Sequence, residues 1–220
     1  MTMYEKLMML PIFKGINPEE MSAFLGKTHL EFSTHDVGSI IVPRGEECET
    51  LHCVLSGRIQ SIYILWDGKV KLAAEYGPGK VIGLDRLFGL DTHYSHTVKA
   101  LDECGTMSFS KAQYVTLLNS SHICTINYLN ILSYRCQRAE NAIGNMAVGL
   151  IGKLASVVTV LTDRDCKRIL IQGLECNEES EDAEQLKEMI EKRIVSPVSE
   201  QTLEIFSRQA LLDYAESLQK

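Results

Sequence analysis

The chain has 220 residues, of which 45% are hydrophobic, and a formal net charge of −7. This composition excludes disordered and fibrous proteins and provides enough apolar residues for one large domain or two small ones. The acidic balance excludes binding to nucleic acid or anionic membrane by overall charge, so any DNA contact would need a local basic patch.

The sequence has no membrane-spanning run, signal peptide or paired cysteine motif, and these features bear on the cellular compartment. No apolar run is long enough to span a bilayer, and the start lacks the basic front and long apolar middle of a signal peptide. The seven cysteines are odd in number and form no C-x-x-C pair, which favours reduced thiols. We therefore expect a cytoplasmic protein that makes no membrane contact.

The first 27 residues predict short helices. In "NPEEMSAFLGK", Asn17 is suited to cap a helix that begins with Pro18, with acidic residues in the first turn. Residues 28–110 then alternate short apolar runs with glycines, which predicts a β-sandwich or barrel. The pair Asp67-Gly68 predicts a tight hairpin within "YILWDGKVKLA".

A helix with a narrow apolar stripe follows the strands. The stripe has a period near 3.5 residues, typical of either a docked helix or a two-fold seam. The opposite face is polar and includes Arg135 and Arg138. The stripe, which is the predicted dimer interface, consists of Ile126, Leu129, Leu132, Cys136, Ala139, Ile143 and Met146.

The remaining chain predicts a small mixed domain. A helix from about Leu150 to Leu161 is followed by the strand-like "KRILIQG" and by one acidic helix in "EDAEQLKEMIEK". The stretch "RIVSPVSEQTLEIFS" then resembles a wing, with Pro197 at its turn.

This order of parts resembles the catabolite-activator (CRP/FNR) family of bacterial regulators. The resemblance is carried by "LPIFKGINPEEMSAFLGK", "RGEECETLHCVLSGRIQSIYI", "GPGKVIGLDRLFG" and "SHTVKALDECGTMSFSKAQY". It implies an α+β fold: a jelly-roll-like, double-stranded β-helix sensor over residues 1–110, a dimerisation helix over 111–148, and a degenerate winged-helix-like domain over 149–220.

In that family the turn beginning at Gly83 holds the phosphate of a cyclic nucleotide. The nucleotide binders carry a glutamate where this chain has Leu84 and an arginine where it has Tyr94. These side chains could fill the vacated pocket or reshape it for another small effector, and a register shift could let Asp85 or Arg86 compensate. The ligand-binding candidates are therefore Gly83, Leu84, Asp85, Arg86, Tyr94 and Ser95.

The family's DNA-reading helix, typically S-R-x-T-x-x-R, has no match in this sequence. The one helix available carries more acidic than basic residues, which disfavours contact with phosphates. Local basic residues keep altered DNA contact open; they are Arg164, Lys167, Arg168 and Arg193.

Other chemistry has little support. His93 and His96 fall in a loop and Cys53 falls mid-strand, so we expect no metal or other cofactor. Motifs of hydrolases, nucleotide-triphosphate enzymes and dehydrogenases are absent, and no catalytic residues are assigned. We expect a non-enzymatic homodimeric transcription regulator with weakened nucleotide and DNA binding. The alternative is a dimeric scaffold of the same fold that acts through a protein partner.

Overall fold

A computed structural model describes residues 3–143, 149–175 and 180–218. The chain divides into two compact units: Met1–Ser61 with Tyr76–Ser133, and Ile62–Glu75 with Tyr134–Lys220. The segment 62–75 thus belongs to the second unit although it lies within the predicted sensor sequence. The sequence boundaries after residues 110 and 148 stay a prediction.

The first unit begins with the predicted short helices. They are α1 (Met3–Met8), a 3-10 turn at Pro11–Phe13, and α2 (Pro18–Lys27). The Asn17 side chain accepts a hydrogen bond from the Glu20 backbone N–H at 2.8 Å, and Pro18 occupies the first helical position. Both predictions for the start of α2 are therefore confirmed.

Eight short strands lie between residues 31 and 110, the region predicted to form the sensor, called here the β-roll. One sheet has the order β1-β8-β3-β6, with antiparallel pairing throughout, and β2 pairs antiparallel with β7. Its core includes Leu51, Met107 and Phe109, all at most 2% exposed. The strands are β1 (Glu31–His35), β2 (Ile40–Val42), β3 (Thr50–Ser56), β4 (Ile59–Leu65), β5 (Val70–Tyr76), β6 (Val81–Ile82), β7 (Thr97–Ala100) and β8 (Cys104–Ser110).

Two helices occupy the segment predicted as a single dimerisation helix, 111–148. Helix α3 (Lys111–Ser120) begins with a capping box formed by Ser110 and Gln113, and α4 (His122–Ile143) follows. Ser121 separates them because its backbone is extended, with φ −127° and ψ 110°. The single-helix prediction is therefore wrong in detail, and its last residues, 144–148, lie outside the described residues.

The second unit contains the mixed elements expected after the seam helix. Helix α5 (Gly149–Leu161) precedes β9 (Arg168–Gln172), α6 (Glu181–Glu191), β10 (Val195–Ser199), β11 (Thr202–Ile205) and α7 (Arg208–Ser217). Strands β10, β11 and β9 pair antiparallel in that order. The single acidic helix and the wing-like hairpin are thus present as elements.

Strand β5 adds a fourth strand to this sheet. It pairs antiparallel with β9 over five residues, from Lys71 opposite Gln172 to Glu75 opposite Arg168. The backbone N–H of Lys167 extends the contact by donating to the Glu75 carbonyl at 2.8 Å. A hairpin from the sensor sequence is therefore a structural part of the second unit.

Two predicted turns differ in detail. The β4–β5 connection is a three-residue 3-10 turn, Trp66–Gly68, with positive φ at Trp66 and Gly68, rather than a two-residue turn. Pro197 lies within β10 beside a bulge, not at the tip of the wing. Since β10 is at the edge of its sheet, a residue without a backbone N–H fits there.

Among the described residues, no helix combines the length and the hydropathy that a membrane span requires. The described cysteines are all free thiols; Cys48, Cys53, Cys104 and Cys124 are buried. Cys176 lies outside the described residues.

Candidate functional site

The glycine-framed turn of the first unit begins at Gly83, directly after β6. Its φ is +91°, and its carbonyl accepts hydrogen bonds from the N–H groups of Arg86 and Leu87 at 2.9 and 3.0 Å. A Cβ at this position would lie 2.8 Å from the sulfur of Cys48 and 3.2 Å from the ring of Tyr94. The turn therefore requires glycine for both its backbone angle and its packing.

Tyr94, which the resemblance predicts to replace a phosphate-binding arginine, lies against Gly83. Its side chain is 5% exposed, and its hydroxyl donates to the Thr50 carbonyl at 2.9 Å. Burial and a hydrogen bond with Cys48 raise the pKa of Tyr94 above its usual value. The phenol is therefore neutral, and it supplies no positive charge for an anion.

Cys48 closes the turn from the neighbouring loop. Its thiol is 1% exposed and donates to the Gly83 carbonyl at 3.4 Å. Burial raises the pKa of the Cys48 thiol, outweighing the opposing effect of its hydrogen bond with Tyr94. Cys48 is thus a neutral packing residue, and the sequence patterns used for metal and haem sites gave no reason to single it out.

The other predicted ligand residues have local partners. Leu84 is 3% exposed and belongs to the core. The Arg86 guanidinium donates to the Asp91 carboxylate at 2.8 Å and lies 4.0 Å from that of Asp85. The Ser95 hydroxyl is 3.1 Å from Nδ1 of His96. Tyr94 therefore lies against Gly83 and Leu84 is buried, whereas the charge of Arg86 is neutralised within its own loop.

The apolar stripe on α4 is largely open to solvent in the single chain. The exposed fractions are 42% for Ile126, 50% for Leu129 and 67% for Ile143. Cys136 is also exposed, and Leu132 and Ala139 are half-buried. Met146 lies outside the described residues. This stripe, Ile126–Ile143, remains the predicted dimer interface.

Three of the four predicted DNA-binding residues line one cleft of the second unit, namely Arg164, Lys167 and Arg168. Arg168 is engaged there by the Glu204 carboxylate through two hydrogen bonds of 2.9 and 2.8 Å, and this contact lowers the pKa of Glu204. The fourth, Arg193, follows α6 with φ 56° and is not among the residues lining this cleft.

Arg138 is buried, contrary to the prediction from the sequence. It was predicted on the polar outer face of the helix, but it is 7% exposed. Its guanidinium donates to the carbonyls of Thr159, Val160 and Thr162, so it caps the C-terminal end of α5. Burial and the nearby charge of Arg208 lower the pKa of Arg138. The four-residue step to Ala142, which is 1% exposed, was the available sign that Arg138 faces inward.

Known proteins match this chain in sequence and in fold. Residues 34–121 match the sequence model of the cyclic nucleotide-binding domain. Among solved structures, the Thermus thermophilus catabolite activator protein is 19% identical and has a TM-score of 0.51. The similarity covers 94% of this chain and 99% of that protein. The sensor domain of the transcriptional regulator DNR from Pseudomonas aeruginosa is 16% identical over 62% of this chain and 90% of its own, with a TM-score of 0.53.

Sequence relatives among characterised proteins are much longer. Lysophospholipase nte1 of Aspergillus oryzae is 25% identical over 139 residues, which is 60% of this chain but 9% of that protein. Mouse patatin-like phospholipase domain-containing protein 7 is 34% identical over 68 residues, which is 30% of this chain and 5% of that protein. The chain therefore corresponds to less than a tenth of these relatives.

Together these findings define the fold. Residues 34–121 are similar to the cyclic nucleotide-binding domain, and the α+β fold is similar to those of the Thermus catabolite activator protein and the DNR sensor domain. The Gly83 turn lies within the matched region.

Proposed function

We propose that this protein is a cytoplasmic, dimeric regulator of the CRP/FNR type whose β-roll has lost ordinary cyclic AMP binding and which has no catalytic role. The observation that carries the proposal is the packing of the Tyr94 ring against Gly83, with its hydroxyl on the Thr50 carbonyl, together with the burial of Leu84. In the CRP/FNR family, which the sequence resembles, nucleotide binders carry a glutamate and an arginine at the corresponding positions.

The polar groups of a bound nucleotide need hydrogen-bonding partners in a buried site. A buried phosphate or ribose group left without its partner costs about 1–3 kcal/mol. Leu84 offers no acceptor for a ribose hydroxyl, and the neutral Tyr94 offers no charge for a phosphate. A third contact is lost where the nucleotide binders place hydroxyls and this chain has Ala139 and Glu140. Three such losses remove the affinity of an ordinary site.

The exposed stripe on α4 supports a dimer. Exposed isoleucine and leucine side chains in one row are costly in water, and a second copy of the helix would bury them at a period near 3.5 residues. In this mechanism a signal received in the roll changes how the two helices cross and so moves the second units.

DNA contact in this proposal is weak. Arg168 is neutralised by Glu204, and α6 carries acidic Glu181, Asp182 and Glu184 in its first turn. An acidic helix repels phosphates, and each lost phosphate contact lowers affinity and flattens its salt dependence.

A second candidate is a dimeric scaffold of the same fold that contacts a protein partner instead of DNA. The acidic face of α6 favours it, because such a face suits a basic protein surface better than a duplex. The chain's similarity to lysophospholipases covers under a tenth of those enzymes, and we do not propose their activity for it.

A gel shift at low salt with mixed-sequence duplex DNA separates the two candidates. A retarded band that weakens steeply as salt increases would favour the regulator. No retardation at micromolar protein would favour the scaffold.

A further inference from the structure

A cleft of about 360 Å³ in the second unit combines positive charge with aromatic surface. It lies where β9 begins, β11 ends and α7 starts. Its volume is within the range of small-molecule sites, roughly 300–1,000 Å³, and exceeds what a bare inorganic ion would fill. The residues lining the cleft include Tyr134, Arg164, Lys167, Arg168, Phe206 and Arg208.

Arg208 has unused hydrogen-bonding capacity in this cleft. Its Nε is buried, and no described residue accepts a hydrogen bond from it. Its Nη2 donates a long hydrogen bond to the Thr159 carbonyl at 3.4 Å. That carbonyl already accepts from Arg138. Arg208 is half-buried, and its buried Nε is costly to leave without an acceptor.

The charges around Arg208 favour an anion as that acceptor. Arg138 and Arg208 are close enough to repel each other. The positive charge of Arg168, one of the lining residues, is already balanced by the Glu204 carboxylate. Three other described cations line the cleft, namely Arg164, Lys167 and Arg208, together with one acid, Asp163. The net charge of these four side chains is about +2. This local excess stands out in a chain of net charge −7.

The start of α7 adds to the same effect. Arg208 is the first residue of this ten-residue helix, and Ser207 caps it by accepting from the Ala210 N–H. The first-turn N–H groups of a helix carry partial positive charge and favour a negative ligand.

The aromatic side chains make the cleft suitable for a ligand that has an apolar ring as well as a charge. Phe206 lines it with 62% of its surface exposed, an unusual exposure for a large aromatic residue. Tyr134 also lines it, and the Arg164 guanidinium lies 5.5 Å from its ring centroid. A flat ring stacked on Phe206 would cover apolar surface that the chain leaves open.

We propose that this cleft binds a small phosphate-bearing molecule with a flat ring, of the nucleoside monophosphate class. The phosphate contacts Arg208, Arg164 and the start of α7, and the ring packs on Phe206. This site is separate from the Gly83 turn and does not depend on what that turn binds.

The test is isothermal titration of the full chain with AMP, adenosine and inorganic phosphate at low salt. We expect one saturable AMP site that binds more tightly than either fragment. Arg208→Gln should raise the AMP dissociation constant about tenfold, the effect of one charge-assisted hydrogen bond. Arg164→Gln, at an exposed side chain, should weaken AMP without affecting folding. Phe206→Ala should weaken AMP and adenosine but leave phosphate unchanged.

Two controls make the result specific. Lys187→Gln removes one exposed charge of the same unit, from α6, and should leave AMP binding unchanged. Tyr94→Phe, in the roll, should also leave it unchanged. The proposal is overturned if AMP does not bind, if both Arg208→Gln and Arg164→Gln bind AMP like the wild type, or if only Tyr94→Phe weakens it. Binding of duplex DNA that these arginine variants abolish, with no AMP binding, would assign the cleft to nucleic acid and also overturn it.

Discussion

Gly173 lies directly against the backbone carbonyl of Lys69, so closely that a Cβ at residue 173 would overlap the carbonyl oxygen. Gly173 has φ +72° and follows β9, while Lys69 lies at the turn before β5. The backbone N–H of Gly173 donates to the Gln201 carbonyl at 3.0 Å. One glycine thus permits the close approach of the β4–β5 hairpin to the end of β9.

Gly173→Ala is therefore expected to loosen the β5–β9 pairing. The positive φ alone costs a residue with a Cβ about 1–2 kcal/mol, and displacing the Lys69 carbonyl adds to this. We expect a loss of about 2 kcal/mol or more in the free energy of unfolding, measured by urea denaturation. Trypsin should also cleave faster at Lys69 and Lys71.

Gly77→Ala is the matched control for that variant. A Cβ at Gly77 meets nothing within 4 Å, and its φ is outside the positive range. It should change the free energy of unfolding by less than about 0.5 kcal/mol. Equal effects of the two variants would contradict the role given to Gly173.

Removing the Tyr94 hydroxyl tests the packing of the Gly83 turn. Tyr94→Phe keeps the ring but leaves the Thr50 carbonyl without this donor, so we expect a loss of about 1 kcal/mol in the free energy of unfolding. Chemical denaturation would measure it, with Tyr4→Phe on α1 as a comparison that should be close to neutral. A stabilised Tyr94→Phe variant would mean that the hydroxyl is not a structural contact.

The exposed stripe predicts the effect of a charge at the end of α4. Ile143→Glu places a carboxylate at an exposed apolar position, where burial against a second copy would be unfavourable. Sedimentation should show monomers for this variant, or for a charged residue at Leu132, and dimers for the wild type. Asn141→Glu, on the polar face, should remain dimeric. A wild-type monomer, or a dimeric Ile143→Glu, would contradict the seam.

His52 predicts a pH dependence of stability in the first unit. Burial lowers the pKa of His52, nearby His35 lowers it further, and Glu31 opposes them. Between the lowered folded pKa and the unfolded value of 6.5, the unfolded chain binds the proton better. Neutral His52 therefore contributes to the free energy of unfolding above pH 6.5, and this contribution is lost as the pH falls from 6.5 through the lowered pKa of the folded state.

His52→Gln should remove this contribution. Urea denaturation between pH 7.5 and 5 should show the wild type losing stability relative to the variant as the pH falls. His122→Gln, at an exposed histidine at the start of α4, is the control and should follow the wild type. Parallel curves for wild type and His52→Gln would show that His52 does not titrate differently on folding.

Local patterns predicted the parts of the fold that depend on short stretches of chain. Asn17 and Pro18 identified the start of α2, and the glycine spacing identified the strand-rich region, whereas the loss of nucleotide binding inferred from Leu84 and Tyr94 stays a prediction. Each of these signals lies within a few residues of the feature it predicts.

Contacts between distant segments could not be predicted in the same way. The pairing of β5 with β9 joins residues about a hundred positions apart, and nothing in either strand specifies the other. The cleft likewise depends on residues distant in the chain, since both Arg164, before β9, and Arg208, at the start of α7, line it. Arg138 was misassigned because a charged side chain is usually exposed, whereas here helix carbonyls satisfy it.

The most direct test of the account is a thermal-shift measurement with millimolar cyclic AMP, comparing wild type with Leu84→Glu/Tyr94→Arg, which restores the family's charged pair. A ligand present at a hundred times its dissociation constant stabilises a protein by about 2.7 kcal/mol. We expect no shift in the wild-type melting temperature beyond that caused by AMP at the same concentration. A larger, saturable increase with cyclic AMP that Arg208→Gln leaves intact would show that the Gly83 turn still binds the nucleotide, and would contradict the account.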